Sequence, residues 1–207
     1  MHLEYSDFLA HESTFAASDQ YLNDWHQGIP WYGFWAVLVD DIEWLAALRA
    51  AHQHLQAYLL PGYARQAHIT ISASGLLHPA YFSSPHYNQQ KRRLKANKPS
   101  TFSVQAMHLD SFLSAPYLAI DDSDGHLLSL RSLLGCIKAD DEPLKYCPHI
   151  TLGLYHRSIP CTDMIRQFQA FSLPQLPSLN VTEIAFCRYK TSQLQGPFEV
   201  MERFSLT

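Results

Sequence analysis

The sequence predicts an α+β fold in which short strands and helices are mixed along the chain. Three observations lead to this class. The apolar pattern alternates repeatedly between strand and helix periods over the 207 residues. A four-residue segment occurs once in each half, and the composition, 47% hydrophobic and 16% charged, is that of a globular protein. Since strand, helix, strand occurs twice with additional hairpins, we expect mixed or antiparallel sheets rather than a doubly wound parallel sheet.

The first 30 residues are predicted to form a helical extension ahead of a single domain over residues 31–207. Apolar side chains recur at helical spacing between residues 2 and 27, and a glycine and a proline then end the pattern. Ser18 and Asp19 are candidate caps inside this stretch. The apolar positions are Leu3, Phe8, Phe15, Tyr21, Leu22 and Trp25.

Residues 31–207 alternate between segments with strand and helix patterns. Aromatic and β-branched runs predict strands, and helical periodicity bounded by Asp, Pro or Gly predicts helices. Asp40 or Asp41 is expected to cap the first helix of the domain. The predicted strands cover residues 31–39, 68–74, 102–112, 117–121, 149–155, 181–189 and 198–206, and the predicted helices cover residues 40–59, 87–97, 126–137 and 162–171.

The charge distribution excludes a protein that tracks long nucleic acids. The net charge is -4, and residues 1–48 carry eight acidic and no basic residues, so the remainder, with 15 basic and 11 acidic residues, is only mildly basic. This balance suits a small phosphate-bearing ligand. No apolar run approaches the about 20 residues of a spanning helix, and the acidic start does not resemble a secretory signal. We therefore expect a monomeric cytoplasmic protein with no membrane segment.

The repeated segment is the strongest motif in the chain. His68-Ile69-Thr70-Ile71 in the first half matches His149-Ile150-Thr151-Leu152 in the second. A His-aliphatic-Thr-aliphatic string is expected about 0.02 times in a shuffled chain of this composition, so two copies are not a chance event. The alternative explanation, two unrelated core strands whose histidines are satisfied by hydrogen bonds, has much less support from the sequence.

Strand geometry explains which chemical groups of the repeat lie on the same face. Side chains two apart lie on one face of a strand, so each His and Thr point together while the aliphatic residues point into a core. Of two facing imidazoles, one can act as a neutral base and the other as a protonated acid, and hydroxyls can donate to phosphate oxygens. These groups suffice for attack on a phosphodiester. No cysteine, histidine or carboxylate spacing indicates a metal site, so we expect no cofactor.

The paired motif resembles that of the two-histidine (2H) phosphoesterases, which include 2′-5′ RNA ligase-like proteins and cyclic nucleotide phosphodiesterases. The resemblance covers roughly residues 31–207 and includes the ending, VTEIAFCRYK and GPFEVMERFSL, which is similar to the family's terminal hairpin. It implies two pseudo-symmetric lobes of sheet with outer helices around a central cleft. It also implies that His68 and His149 are catalytic and that Thr70 and Thr151 bind phosphate.

One position departs from the family pattern. Ligase-like members often have an Arg three residues after the second motif's Thr, where this chain has Leu154. If the second motif strand continues in register, Tyr155 and Arg157 share the catalytic face, as a base-stacking platform and a substitute cation for substrate binding. The basic run from Lys91 to Lys98 is interpreted as a solvated helix face, with a phosphate guide beside the cleft as the alternative.

The leading functional hypothesis is a metal-independent phosphodiesterase acting on a 2′,3′-cyclic phosphate or a 2′-5′-linked nucleotide or RNA end. Two alternatives stay open. The same site could process RNA ends as an exonuclease or a ligase-like enzyme by transesterification, or the protein could be a nucleotide- or RNA-binding module without turnover. The expected partner is a nucleotide or a short RNA end. The symmetry of the two motifs leaves open which histidine is the acid.

Overall fold

Two four-stranded sheets form the framework of the protein. A computed structural model describes residues 5–17, 25–135 and 146–207. All paired strands in both sheets are antiparallel, and helices pack against them, so the predicted α+β class is confirmed. Within the described ranges, no helix is both long enough and apolar enough to cross a bilayer.

Each sheet defines one lobe. The first lobe has β1 (Trp31–Leu38), β2 (His68–Leu76), β7 (Glu183–Lys190) and β8 (Phe198–Ser205), in the order β2-β1-β7-β8. The second lobe has β3 (Phe102–Phe112), β4 (Ala115–Asp121), β5 (His149–Thr151) and β6 (Leu179–Val181), in the order β5-β4-β3-β6. Each motif therefore lies on an edge strand.

Five helices are described, and most begin or end where sequence signals place them. They are α1 (Ser6–Leu9), α2 (Ile42–Leu55, continued by a 3-10 turn at Gln56–Tyr58), α3 (Ser84–Asn97), α4 (His126–Leu134) and α5 (Cys161–Ala170). The carboxylate of Asp41 caps α2 by accepting from the N–H groups of Glu43 and Trp44. The predicted end of α4 beyond residue 135 lies outside the described residues.

The two faces of the first sheet have different neighbours. On β1, Trp35 and Val37 point into the main hydrophobic core, and the indole of Trp35 donates to the side-chain oxygen of Gln90 on α3 at 2.8 Å. Phe34 and Ala36 point the other way, into a smaller apolar cluster. This alternation places α3 on one face of the sheet and leaves the other face for the motif residues of β2.

The predicted N-terminal helix is wrong over residues 10–17. Within the described residues 5–17, only Ser6–Leu9 is helical, and the residues after it run as an irregular, extended segment. Its N–H groups donate to distant carbonyls, from Thr14 to Ile159 and from Ala17 to Tyr155, so its hydrogen bonds are tertiary rather than helical. Phe15, expected on an apolar helix face, is 51% exposed. The candidate caps Ser18 and Asp19 lie outside the described residues.

Two strand predictions also need correction. The segment 181–189, predicted as one strand, breaks at Thr182, and its two parts belong to different sheets. The strand predicted over residues 149–155 ends at Thr151. Gly153 lies so close to the side chain of Leu59 that a Cβ there would be 2.9 Å from Leu59 Cδ1. The chain thus leaves the sheet edge to pack on α2 and its following turn.

Candidate active site

The fold brings the two motif strands together. β2 and β5, the edge strands of the two sheets, contact each other. On each strand the aliphatic residues are buried, including Ile69, Ile71 and Ile150 at 0–1% exposure, whereas the motif histidines and threonines are partly exposed. Each lobe therefore presents one imidazole and one hydroxyl on the side opposite its core.

Both imidazoles are fixed in the same way by the backbone. Nδ1 of His68 lies 2.8 Å from the carbonyl oxygen of Gln66, and Nδ1 of His149 lies 2.8 Å from the carbonyl oxygen of Cys147. Since a carbonyl only accepts, Nδ1 carries the hydrogen in both rings. In the neutral form, each Nε2 then has a free lone pair, which is the state required of a general base.

Burial disfavours the doubly protonated, positively charged form of both imidazoles. The pKa of His68 is lowered to about 4, mainly by burial and in smaller part by the charges of Arg65 and His149. The hydrogen bond to the Gln66 carbonyl acts in the opposite direction. Burial likewise lowers the pKa of His149, against the effect of the Cys147 carbonyl. The charge of His149 is among the smaller causes that lower the pKa of His68.

Aromatic rings flank both histidines. The His68 ring lies 5.3 Å from Phe34 and 5.0 Å from Phe198, measured between centroids. The His149 ring lies 4.8 Å from Phe112 and 5.1 Å from Tyr117. These neighbours come from other strands of the same sheets, and they account for the loss of solvent around both imidazoles.

Each motif strand is also held by a helix from the other half of the chain. Arg131 of α4 donates to the carbonyl of Ile71 at 3.1 Å, directly after Thr70. In the other lobe, Nδ1 of His52 on α2 lies 2.7 Å from the carbonyl oxygen of Leu152, directly after Thr151. The two contacts are equivalent in the repeat, so each half of the chain fixes the motif strand of the other.

A further hydrogen bond fixes the first motif strand. The hydroxyl of Tyr146 donates to the carbonyl of Thr70 at 2.9 Å, and the guanidinium of Arg131 lies 5.0 Å from the centre of the Tyr146 ring. These donors cover carbonyls on the free edge of β2, which would otherwise lack partners. The position of Thr70 is therefore determined by residues of the second half.

Sequence reasoning missed one cation at the site, Arg65. Its Nε and Nη2 donate to the carbonyls of Gly196 and Leu194 at 3.3 and 3.2 Å, and its guanidinium carbon lies 4.1 Å from the centre of the Tyr189 ring. Tyr189 contacts Phe34, which contacts His68. Its position three residues before the first motif is the only sequence signal that could have indicated it.

The continuation of the second motif does not join the catalytic face. Tyr155 is fully buried at 0% exposure, and its hydroxyl lies 2.7 Å from the hydroxyl of Ser111, so the expected base-stacking surface at Tyr155 is not present. Arg157 is exposed and lines a pocket of about 460 Å³ together with Asp163 and Arg166. None of the four motif residues lines that pocket.

The basic run on α3 does not lie beside the motif histidines. α3 packs on the Trp35 face of the first sheet, whereas His68 contacts Phe34 on the opposite face. Lys91 pairs with Glu202 of β8 at 2.7 Å. The solvated-face interpretation of this run therefore fits the structure better than a phosphate guide.

No set of metal ligands occurs among the described residues. In those parts of the chain, no group of three or more His, Cys, Asp or Glu side chains is arranged to hold a metal ion. The polar groups that the two motif strands present are two imidazoles and two hydroxyls.

Solved structures with the same fold are known. No protein-family model and no curated protein matches the sequence. TT0787 of Thermus thermophilus is 19% identical, with a TM-score of 0.55 over 84% of this chain and 97% of that one. E. coli LigT complexed with 3′-AMP is 17% identical, with a TM-score of 0.55 over 86% and 99%. ATU0111 from Agrobacterium tumefaciens str. C58 is 14% identical, with a TM-score of 0.55 over 83% and 85%.

The chain has the fold of E. coli LigT and TT0787, as the resemblance of its paired motif to the two-histidine phosphoesterases led us to expect. The resemblance expected from the paired motif is confirmed at this level, because the chain aligns with nearly the whole length of E. coli LigT and of TT0787. The paired motif strands lie at corresponding edges of its two sheets.

Proposed function

We propose that this protein is a metal-independent phosphodiesterase that hydrolyses a 2′,3′-cyclic phosphate or a 2′-5′-linked nucleotide or RNA end. The observation that supports this most directly is the contact between the two motif edge strands, each of which carries an imidazole whose Nδ1 is bound to a backbone carbonyl and whose Nε2 is free to act as a base. Thr70 and Thr151 accompany them on the same faces.

The site supplies each group that hydrolysis of a diester requires. One neutral Nε2 takes a proton from water as the oxygen attacks phosphorus, and the other imidazole, protonated, gives its proton to the ribose oxygen as the phosphorus–oxygen bond breaks. The hydroxyls of Thr70 and Thr151 donate to the non-bridging oxygens, where negative charge increases. The next turnover requires only that the two imidazoles exchange one proton through solvent.

Structural neighbours support a nucleotide as the ligand. E. coli LigT has been solved in complex with phosphate, with ATP and with 3′-AMP, and another neighbour with a TM-score of 0.54 is described as a phosphoesterase. Of the aromatic rings beside the two histidines, Phe112 is 40% exposed and lies 4.8 Å from the His149 ring, so it offers an apolar surface for a base beside the proposed phosphate site. A short substrate fits this proposal, in which the four motif groups act on a single phosphate.

The decisive experiment is a turnover assay on a panel of 2′,3′-cyclic nucleotides and 2′-5′-linked dinucleotides with and without EDTA. We expect hydrolysis that EDTA leaves unchanged, and a loss of about 10²–10⁴-fold in His68→Ala and in His149→Ala. Loss of activity in EDTA that only a divalent ion restores would contradict the mechanism. Tight nucleotide binding by wild type without any turnover would establish the binding-module alternative, and cyclic or ligated products would establish transesterification.

A further inference from the structure

The pocket that Arg157 lines is separate from the motif residues. Its volume is about 460 Å³, and its walls come from the turn after α2, the loop that precedes α5 and the first two turns of α5. None of the four motif residues is part of these walls. Pockets of this size usually hold a small organic ligand. The shape therefore indicates a binding site of its own.

The walls of this pocket carry a net positive charge. Among the described residues, its charged side chains are those of Arg157, Arg166 and Asp163. Nη1 of Arg166 donates to Oδ1 of Asp163 at 2.9 Å, and a guanidinium has further N–H donors beyond that one. In the parts of the chain that the structure describes, no carboxylate forms an ion pair with Arg157. Arg157 is therefore a cation available to an anionic ligand.

The loop that carries Arg157 is fixed through its backbone. The hydroxyl of Thr14, a residue 2% exposed, donates to the Arg157 carbonyl at 3.4 Å and accepts from the Ile159 N–H at 3.0 Å. On the other side, the His156 N–H donates to the Tyr58 carbonyl at 3.1 Å. Since these bonds use main-chain groups of the loop, they fix its position while the Arg157 side chain stays exposed. A ligand then pays little for ordering the site.

We propose that this pocket binds the phosphate monoester group of a nucleotide. Such a group carries close to two negative charges near neutral pH and has three terminal oxygens that accept charge-assisted hydrogen bonds. Arg157 and Arg166 come from different elements, so two guanidinium groups are available to one tetrahedral anion, whereas one is enough for a planar carboxylate. The Ser158 hydroxyl is a further donor in the walls. The proposal does not depend on the chemistry of the motif histidines.

The other side chains of the pocket suit the nucleoside part of such a ligand. Tyr58 is half-buried in the wall, and an aromatic ring is a surface on which a base stacks. Gln167 has an amide that both donates and accepts, and its main-chain carbonyl accepts from Nε2 of His54 at 2.9 Å, which fixes its place on α5. The volume is larger than a bare phosphate ion needs, so a nucleoside has room beside it.

Two-dimensional NMR of the ¹⁵N-labelled full chain locates the binding, because the amide resonances of the pocket and of the motif strands report separately. The ligands are 5′-AMP, adenosine and inorganic phosphate. We expect 5′-AMP to shift the resonances of Ser158 and Gln167 with a binding curve separate from any curve at Ile69 and Ile150. Inorganic phosphate should shift the same pocket resonances, and adenosine should bind there at least about 10-fold more weakly.

Arg157→Gln should weaken binding of 5′-AMP at the pocket by about 10- to 100-fold, because it removes charge-assisted hydrogen bonds to the phosphate. Since the Arg157 side chain is exposed, the variant should fold normally. Arg157→Lys keeps the charge without the planar fork and should lose less affinity. Arg92→Gln is the matched control: it removes the same charge from an exposed residue of α3 outside the pocket, and it should leave the affinity unchanged.

Three results would overturn the proposal. The first is that 5′-AMP shifts only resonances of the motif strands, in which case the proposed function is untouched. The second is equal affinity of the pocket for adenosine and 5′-AMP, which would mean that the phosphate is not recognised. The third is an equal loss in Arg157→Gln and Arg92→Gln, which would indicate only non-specific attraction between charges. Absence of turnover with pocket binding intact would instead contradict the proposed function alone.

A 5′-phosphorylated dinucleotide distinguishes the two sources of the phosphate monoester. Affinity equal to that of 5′-AMP would identify an RNA end as the ligand, and weaker binding would identify the free nucleotide. Either result, together with loss of binding in Arg157→Gln, supports recognition of a phosphate monoester in this pocket.

Discussion

Gln66 and Phe198 are joined by a pair of hydrogen bonds. The side-chain amide of Gln66 donates to the Phe198 carbonyl at 2.9 Å, and its oxygen accepts from the Phe198 N–H at 3.0 Å. The main-chain carbonyl of the same Gln66 accepts from Nδ1 of His68, and the ring of Phe198 lies 5.0 Å from that imidazole. One residue thus connects the C-terminal hairpin to the orientation of the His68 ring.

Gln66→Ala should lower kcat/KM by about 3- to 10-fold, which corresponds to loss of net hydrogen-bond free energies of about 0.5–1.5 kcal/mol that align His68. Steady-state kinetics measures this effect. Gln195→Ala is the matched control, because the Gln195 amide donates to the Pro61 carbonyl and so joins the same two segments without touching His68. Equal losses in both variants would show that the segments matter only for folding.

The pH dependence of kcat/KM should be bell-shaped with its maximum below pH 6.5. The active form has one proton on the pair, and the pKa values of His68, about 4, and of His149 are both lowered, with burial as the main cause. As pH rises above both values, the singly protonated fraction falls, so kcat/KM falls about tenfold per pH unit. An optimum at pH 8 with chemistry rate-limiting would contradict this prediction.

Thr70→Val and Thr151→Val should each raise the activation barrier of hydrolysis, because each removes a hydroxyl that donates to phosphate in the proposed mechanism. A hydrogen bond to a charged group contributes about 1.5–3 kcal/mol, so we expect kcat/KM to fall about 10- to 100-fold. Thr70→Ser and Thr151→Ser keep the hydroxyl and should retain most activity. Serine variants as impaired as the valine variants would mean that the methyl groups, not the hydroxyls, matter.

Thr14→Val should destabilise the protein without changing its chemistry. Thr14 is 2% exposed, and its hydroxyl accepts from the N–H of Ile159 at 3.0 Å. The substitution leaves that buried donor without an acceptor, which costs about 1–3 kcal/mol of unfolding free energy. Urea denaturation measures the loss, and Thr14→Ser, which keeps the acceptor, is the control. Wild-type stability in Thr14→Val would show that water replaces the contact.

Much of the fold follows from local pattern. The alternation of aliphatic and polar residues in both motifs places Ile69 and Ile150 in the core and the histidines outside it, as strand geometry requires. Asp41 caps its helix as a short acceptor side chain at that position predicts. These features depend on neighbours in sequence, so the sequence is enough to locate them.

The remaining features depend on contacts distant in sequence. The pattern after Thr151 is compatible with a longer strand, but contacts distant in sequence, among them those of Leu152 with His52 and of Gly153 with Leu59, divert the chain, and Tyr155 is buried. The contacts of Arg65 likewise cannot be read from its neighbours in sequence, because the groups that fix it come from the C-terminal hairpin. Periodicity contains no information about such partners.

The strand order of the first sheet has a consequence for the protein during its synthesis. β1 separates β2 from β7, so the sheet that carries His68 is built from the two ends of the chain. A nascent chain that ends after β6 contains every strand of the second sheet but only half of the first, and β1 then has an open edge. All strands of the sheet that carries His149 are therefore synthesised before the sheet that carries His68 is complete, although His68 is translated first.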